Sequence, residues 1–156
     1  MEIDVLRLVP LGLFLVLGGQ LSIIDLRTRR LPNRLVLICT VSILVIQIAY
    51  CVWRAVPDEL SRAGIAAGKI VAAYVVLYLL SRGQLGMGDV KFAIPVGLIV
   101  GWYNPDAWLI SLLITFLLAG VVSIIGLLTR KLDRKSHIPF GPYMYLGSII
   151  TVLIGS

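Results

Sequence analysis

The sequence predicts an all-α polytopic membrane protein, and composition and the grouping of apolar residues are the observations that predict it. Of the 156 residues, 59% are hydrophobic and 14% are charged. The mean hydropathy is +1.00, which is too apolar for a soluble domain. The apolar residues fall into six runs, most of them near the ~20 residues that cross about 30 Å of hydrocarbon. The sequence therefore predicts that residues 1–156 form a single membrane domain with six transmembrane helices.

The six runs differ in ways that predict different helices. The first begins with acids rather than basic residues and has no small-residue cleavage site after it, so it predicts a retained helix and not a signal peptide. The fourth contains Pro95, Gly97 and Gly101, which predict a short or kinked helix shielded by its neighbours. The sixth begins with the helix-breaking string Pro-Phe-Gly-Pro. The predicted spans cover residues 3–24, 35–53, 63–80, 90–103, 107–128 and 138–154.

The basic residues predict the orientation of these spans. Ten of the 14 Lys and Arg residues lie in or beside the loops after the first, third and fifth spans. Those loops are therefore expected in the cytoplasm and both termini outside. The formal charge of +6 sits in short clusters between apolar runs, which indicates topology signals rather than a nucleic-acid partner. An interfacial aromatic belt is predicted at the outer ends of spans, formed by Trp53, Trp102 and Trp108.

Two of the eight acidic residues lie at the margins of spans, where a carboxylate is costly and is often functional. Asp25 follows the first span and Asp89 precedes the fourth. The predicted topology places both at the cytoplasmic margin, so the two acids can meet if the first and fourth spans pack together. Small residues on these two spans would allow close approach of the helices: Gly18, Gly19, Gly97 and Gly101.

Each of these acids also has a simpler interpretation. Asp25 would be an ordinary interfacial acid neutralised by Arg27 or Arg29, although the C-terminus of a helix disfavours negative charge. Asp89 would be an N-terminal cap of the fourth helix. Lys91 has two alternative roles: it would pair with Asp89, or it would help to fix the topology.

Other polar residues give weaker signals. Lys69 lies inside the third span and is expected to extend to the outer interface. His137 is expected to be interfacial. Cys39 and Cys51 lie in one run, about 18 Å apart along a helix, so they cannot bridge within it, and no CxxC pair suggests a metal.

Three sequence blocks resemble those of a known family. One contains Asp25, one contains Asp89, and the third lies late in the sequence. Residues 25–33 read Asp-Leu-Arg-Thr-Arg-Arg-Leu-Pro-Asn, residues 86–91 read Gly-Met-Gly-Asp-Val-Lys, and residues 139–142 read Pro-Phe-Gly-Pro. Their order and spacing resemble the prepilin peptidase family, the GxGD-type membrane aspartic proteases. The resemblance implies that Asp25 and Asp89 are the catalytic pair. It implies that the residues shaping the site are Gly86, Gly88, Lys91, Pro32, Asn33, Pro139, Phe140, Gly141 and Pro142.

The resemblance also implies a function. Members of this family remove the leader from type IV pilin-like precursors, which leads us to expect a prepilin as partner, the cell inner membrane as location and an active site at its cytoplasmic face. Two adjacent carboxyls share a proton, so one can act as base and one as acid toward a water, and no cofactor is needed. The longer members carry a cytoplasmic, often cysteine-bearing region near the N-terminus and methylate the new N-terminus. This sequence resembles the short form that serves Flp/Tad-type pili, of bacterial or archaeal origin, for which methyl transfer is not expected.

Two rival functions use no proteolysis. A small transporter or channel subunit would bind protons or cations at the same carboxylates. Against it, both acids are expected at one face, with no second set of acids to mark a path across. The other rival is a purely structural membrane subunit.

Overall fold

The computed structural model describes residues 5–81, 85–129 and 139–155, and all regular structure in these ranges is helical. The predicted all-α class is therefore confirmed for the described part of the chain. Arg82, His137, the basic loop at 130–135 and the predicted start of the sixth span at 138 lie outside it. The helices are α1 (Val5–Thr28), α2 (Asn33–Arg54), α3 (Pro57–Leu80), α4 (Met87–Tyr103), a 3-10 turn (Pro105–Ala107), α5 (Trp108–Leu128) and α6 (Gly141–Ile154).

Four helical segments are long and apolar enough to cross a membrane. They are α1, α2, α3 and the segment Pro105–Leu128, which contains α5. The remaining helices are shorter, with 17 residues in α4 and 14 in α6. A six-span topology therefore stays a prediction, whereas a helical bundle with at least four candidate spans is what the structure shows.

Helix α4 forms the centre of the bundle. Twelve of its 17 residues are buried, among them Pro95, so neighbouring helices cover the backbone that the proline leaves without its usual hydrogen bond. The predicted shielding of this short segment is confirmed. Because α4 is enclosed on nearly all sides, the residues at its N-terminal end are held in a fixed position relative to the surrounding helices.

The glycines of α4 pack against α3, a contact that their spacing in the sequence does not indicate. A Cβ on Gly101 would lie 2.8 Å from the Ala63 Cα, and one on Gly97 would lie 3.0 Å from the Ala67 Cβ. On α1, Gly18 instead faces Tyr145 of α6. A small residue permits close approach but carries no information on which helix approaches.

This packing predicts a stability difference between two glycines. Gly101→Ala is expected to lower the free energy of unfolding by about 1–3 kcal/mol, because the added methyl group has no space against α3. Gly64→Ala on α3 is the matched control, since its Cβ would meet nothing within 4 Å. That variant should be neutral or more stable by up to ~1 kcal/mol, because alanine favours helix. Unfolding in detergent measures both, and equal stabilities would contradict the packing.

All three tryptophans lie at the end of the bundle opposite to Asp25 and Asp89, but they do not form a uniform belt. Trp53 at the end of α2 is 65% exposed, as an interfacial residue would be. Trp102 at the end of α4 is only 2% exposed and packs edge-on against Tyr50. The prediction of an interfacial position is wrong for Trp102, because α4 is central and its side chains point into the protein.

Candidate active site

Asp25 lies in the last turn of α1 and is 4% exposed. Its Oδ2 accepts a hydrogen bond of 2.9 Å from the backbone N–H of Gly141, the first residue of α6. Pro142 follows at the start of that helix, where proline fits because the first helical N–H groups have no partner within the helix. A Cβ on Gly141 would lie 2.8 Å from the same Oδ2. The late Pro-Phe-Gly-Pro block therefore contacts the first aspartate directly.

Asp89 lies in the first turn of α4 and is 9% exposed. Its Oδ2 accepts the backbone N–H of Gly86 at 3.1 Å. The capping interpretation of Asp89 is thus partly right, since the side chain closes the start of α4. The capping residue itself is Gly86, and Asp89 is the third residue of the helix.

Both carboxylates line one cavity of about 370 Å³. The structure thus brings together the two acids that the sequence places more than sixty residues apart. The loop between α1 and α2, the start of α4 and the segment before α6 form its walls. The other lining residues are Arg29, Arg30, Leu31, Asn33, Leu85, Gly86, Met87, Gly88, Lys91, Pro139 and Phe140.

The environment of Asp89 favours its protonated form. Asp89 precedes the predicted fourth span. Burial is the largest cause that raises the pKa of its carboxyl, the nearby Asp25 carboxylate also raises it, and the N–H of Gly86 lowers it, so that the pKa is about 7. The two acids are therefore close enough to interact electrostatically, and a carboxyl with a pKa of about 7 can hold a proton at neutral pH.

Three basic residues line the same cavity. Lys91 donates a hydrogen bond of 3.0 Å to the Asn33 Oδ1, so its ammonium ties the start of α4 to the start of α2. Arg29 has a left-handed backbone with φ 53°, and its N–H donates to the Asp25 carbonyl at 2.7 Å. This turn ends α1 and directs the chain so that Arg29 and Arg30 border the cavity.

Two other predicted site residues, Pro32 and Pro142, support the walls rather than line the cavity. Pro32 caps the start of α2. Gly88 lines the cavity and also lets α4 approach Leu31, whose Cβ would lie 3.1 Å from a Cβ at Gly88. Pro142 lies within α6 and is buried. Leu31 and Leu85 also line the cavity, although neither was predicted as a site residue. Leu31 lies within the first motif block, and Leu85 directly precedes the second.

Tyr74 lies behind the site. It is 1% exposed and stacks on Phe116 with ring centroids 6.3 Å apart. Tyr74 of α3 thus packs against the neighbouring helix α5. Tyr74 also interacts electrostatically with Asp89. Sequence reasoning missed this proximity, because spacing along α3 does not show which side of the bundle a tyrosine faces.

Comparison with known proteins assigns the chain to a family. Residues 11–125 match the type IV leader peptidase family, a stretch that contains both Asp25 and Asp89. A prepilin leader peptidase/N-methyltransferase of Pseudomonas putida is 28% identical over 155 residues, covering 99% of this chain and 51% of the relative. The chain thus spans about half the length of that relative. No solved structure matches it. Since the family match covers well over half of the sequence, the chain belongs to the type IV leader peptidase family.

Proposed function

We propose that this protein is a membrane aspartic endopeptidase that removes the leader from type IV pilin-like precursors at the cytoplasmic face of the membrane. The observation that carries the proposal is the shared cavity of Asp25 and Asp89 in a member of this family. In the part of the chain that the structure describes, the buried acids are these two residues. They lie at one end of the bundle, which disfavours a proton or ion path across the membrane.

The contacts of the two acids suggest a division of roles. The Gly141 N–H, at the positive end of α6, stabilises an ionised Asp25, whereas burial favours a protonated Asp89. Asp25 then removes a proton from a water whose oxygen attacks the scissile carbonyl carbon, and Asp89 gives its proton to the carbonyl oxygen. Asp25 then passes the proton that it took from the water to the amide nitrogen, and Asp89 takes back a proton from a hydroxyl of the tetrahedral intermediate. The C–N bond breaks, which releases the leader as a carboxylic acid and the mature chain as an amine.

The walls of the cavity suit the proposed substrate. Basic loops mark this end of the bundle as cytoplasmic, and the apolar faces of α1 and α2 lie exposed beside it. A precursor with an apolar stem in the bilayer would present its leader boundary at this depth. Gly86 and Gly88 line this cavity, and the lack of a side chain at 86 leaves room for the Asp89 carboxyl, since a Cβ there would lie 3.1 Å from its Oδ2.

The mechanism predicts a pH dependence with a definite sign. Since the pKa of Asp89 is raised to about 7, the shared proton is present below pH 7 and lost above it. The rate of leader release should therefore fall as pH rises through 7, by about tenfold per unit once Asp89 is ionised. Initial rates between pH 5.5 and 8.5 measure this. A flat profile, or one that rises steadily over the range, would contradict an acid role for Asp89.

The function itself is tested with the purified full chain in liposomes and a synthetic pilin-like precursor. Mass spectrometry should find a leader fragment and a mature fragment whose masses sum to the precursor plus one water. A precursor of the same composition whose residues around the leader boundary are scrambled is the substrate control. Ion flux through the liposomes without any cleavage would reject the proposal and favour the transporter.

A further inference from the structure

A second charged cavity lies at the end of the bundle opposite to the carboxylates. It has a volume of about 180 Å³ and lies between α3 and the turn that joins α4 to α5. Arg62 and Lys69 contribute two positive charges to its wall, and Asp106 contributes one negative charge. Lys and Arg residues are enriched in cytoplasmic loops, so basic residues at this opposite end are not explained by topology. Lys69 also lies within an apolar helix, where a charged residue is often functional.

The three charged side chains do not neutralise one another by ion pairing. Among the described residues, none of the three forms an ion pair with another side chain. Lys69 instead lies over the ring of Trp108, with its Nζ 5.6 Å from the ring centroid. A cation over a tryptophan face keeps its hydrogen-bond donors for a further partner.

The depth of this cavity coincides with the surface of a bilayer. Helix α5 begins at Trp108 and has 21 residues, roughly 31 Å of helix, which matches the hydrocarbon thickness. Its first residue therefore lies near the headgroup level, where tryptophan is enriched. Asp106 and Arg62 are both exposed and line the cavity beside this level, so a lipid headgroup could reach them.

An apolar stripe leads from the cavity along α3. The stripe consists of Ile65, Val76 and Leu79, which lie on the same face of α3 as Lys69. Ile65 is 60% exposed, Val76 is 53% exposed and Leu79 is 68% exposed. Such a stripe offers a continuous surface for a chain of methylene groups below the charged cavity.

We propose that this cavity binds the headgroup of a zwitterionic phospholipid carrying a primary ammonium, with its phosphate between Arg62 and Lys69 and its ammonium on Asp106. The acyl chain lies along the apolar stripe of α3. Two cations suit a phosphate, and one carboxylate suits an ammonium that can donate hydrogen bonds. The site is separate from the proposed peptidase cavity and does not depend on that function.

The test measures lipid bound to the delipidated full chain by native mass spectrometry. The probes are phosphatidylethanolamine, phosphatidylglycerol with the same acyl chains, and soluble phosphoethanolamine. The wild type should bind phosphatidylethanolamine more tightly than phosphatidylglycerol, and soluble phosphoethanolamine should not displace it. Arg62→Gln and Lys69→Gln should each weaken binding of phosphatidylethanolamine by about tenfold, the loss of one charge-assisted contact. Arg54→Gln, an exposed cation at the same end, is the control and should bind as the wild type does.

Asp106→Asn gives the sharpest result. It should remove the preference for phosphatidylethanolamine while leaving phosphatidylglycerol binding intact, because only the ammonium contact is lost. The proposal is overturned if the Arg62→Gln/Lys69→Gln double variant binds as the wild type does, or if the wild type shows no preference between the two lipids. Displacement by soluble phosphoethanolamine would overturn it as well, since the ligand would then be a free phosphate ester and not a lipid.

Discussion

Replacing either Asp25 or Asp89 by Asn is expected to lower the rate of leader release by about 1,000-fold or more. General acid and base groups each contribute on the order of 10²–10⁴ in rate, and here each acid also sets the protonation of the other. Asparagine keeps the size of the side chain and the acceptor oxygen that contacts Gly141 or Gly86. The loss should therefore appear in the rate constant and not in the folding of the chain.

The control for these variants is Asp58→Asn. Asp58 is an exposed acid in the first turn of α3, at the opposite end of the bundle, and its replacement should leave the cleavage rate unchanged. Initial rates of leader release in liposomes, with thermal unfolding measured in parallel, give the comparison. If Asp25→Asn or Asp89→Asn inserts normally and cleaves at the wild-type rate, that acid has no part in the chemistry.

Gly141→Ala is expected to slow leader release by about 100-fold, the cost of moving a catalytic group by roughly an ångström. The new Cβ would lie 2.8 Å from the Asp25 Oδ2, so either the carboxylate or the start of α6 must shift. The cleavage rate at saturating substrate should fall, whereas the KM should change little, because no proposed substrate contact is removed.

Gly120→Ala on α5 is the matched control for this glycine, since its Cβ would meet nothing within 4 Å. It should keep both activity and stability. Two measurements separate a displacement of Asp25 from a general loss of stability of the chain. They are the melting temperature and the fall in cleavage rate at high pH. A Gly141→Ala variant with wild-type activity would show that the N–H contact to Asp25 is not needed for the reaction.

Much of the arrangement of the site follows from sequence alone. Counting apolar residues and basic loops places Asp25 and Asp89 at one end of the bundle, and the structure shows both in one cavity. Depth in a membrane is a one-dimensional quantity that hydropathy and charge determine directly. Helix α4 starts at Met87 rather than at residue 90, because Gly86 and Asp89 together close its first turn.

The lateral arrangement of the helices could not be predicted in the same way. Gly97 and Gly101 fit any neighbour with small side chains, and the structure places them on α3. Trp102 has the sequence position of an interfacial tryptophan, but α4 is central and the ring is buried. The link from Gly141 to Asp25 spans 116 residues of sequence, and no periodicity indicates which of the two acids the late block contacts.

The most direct test of the account is the rate of leader release by the Asp25→Asn/Asp89→Asn double variant beside its two single variants. Enzyme in excess over precursor and long incubation make the low residual rates measurable. If the two carboxyls act as one unit, the double variant should be no slower than the slower single variant, because either substitution alone already disables the pair. Losses that multiply in the double variant, or a single variant with full activity, would contradict the shared role of Asp25 and Asp89.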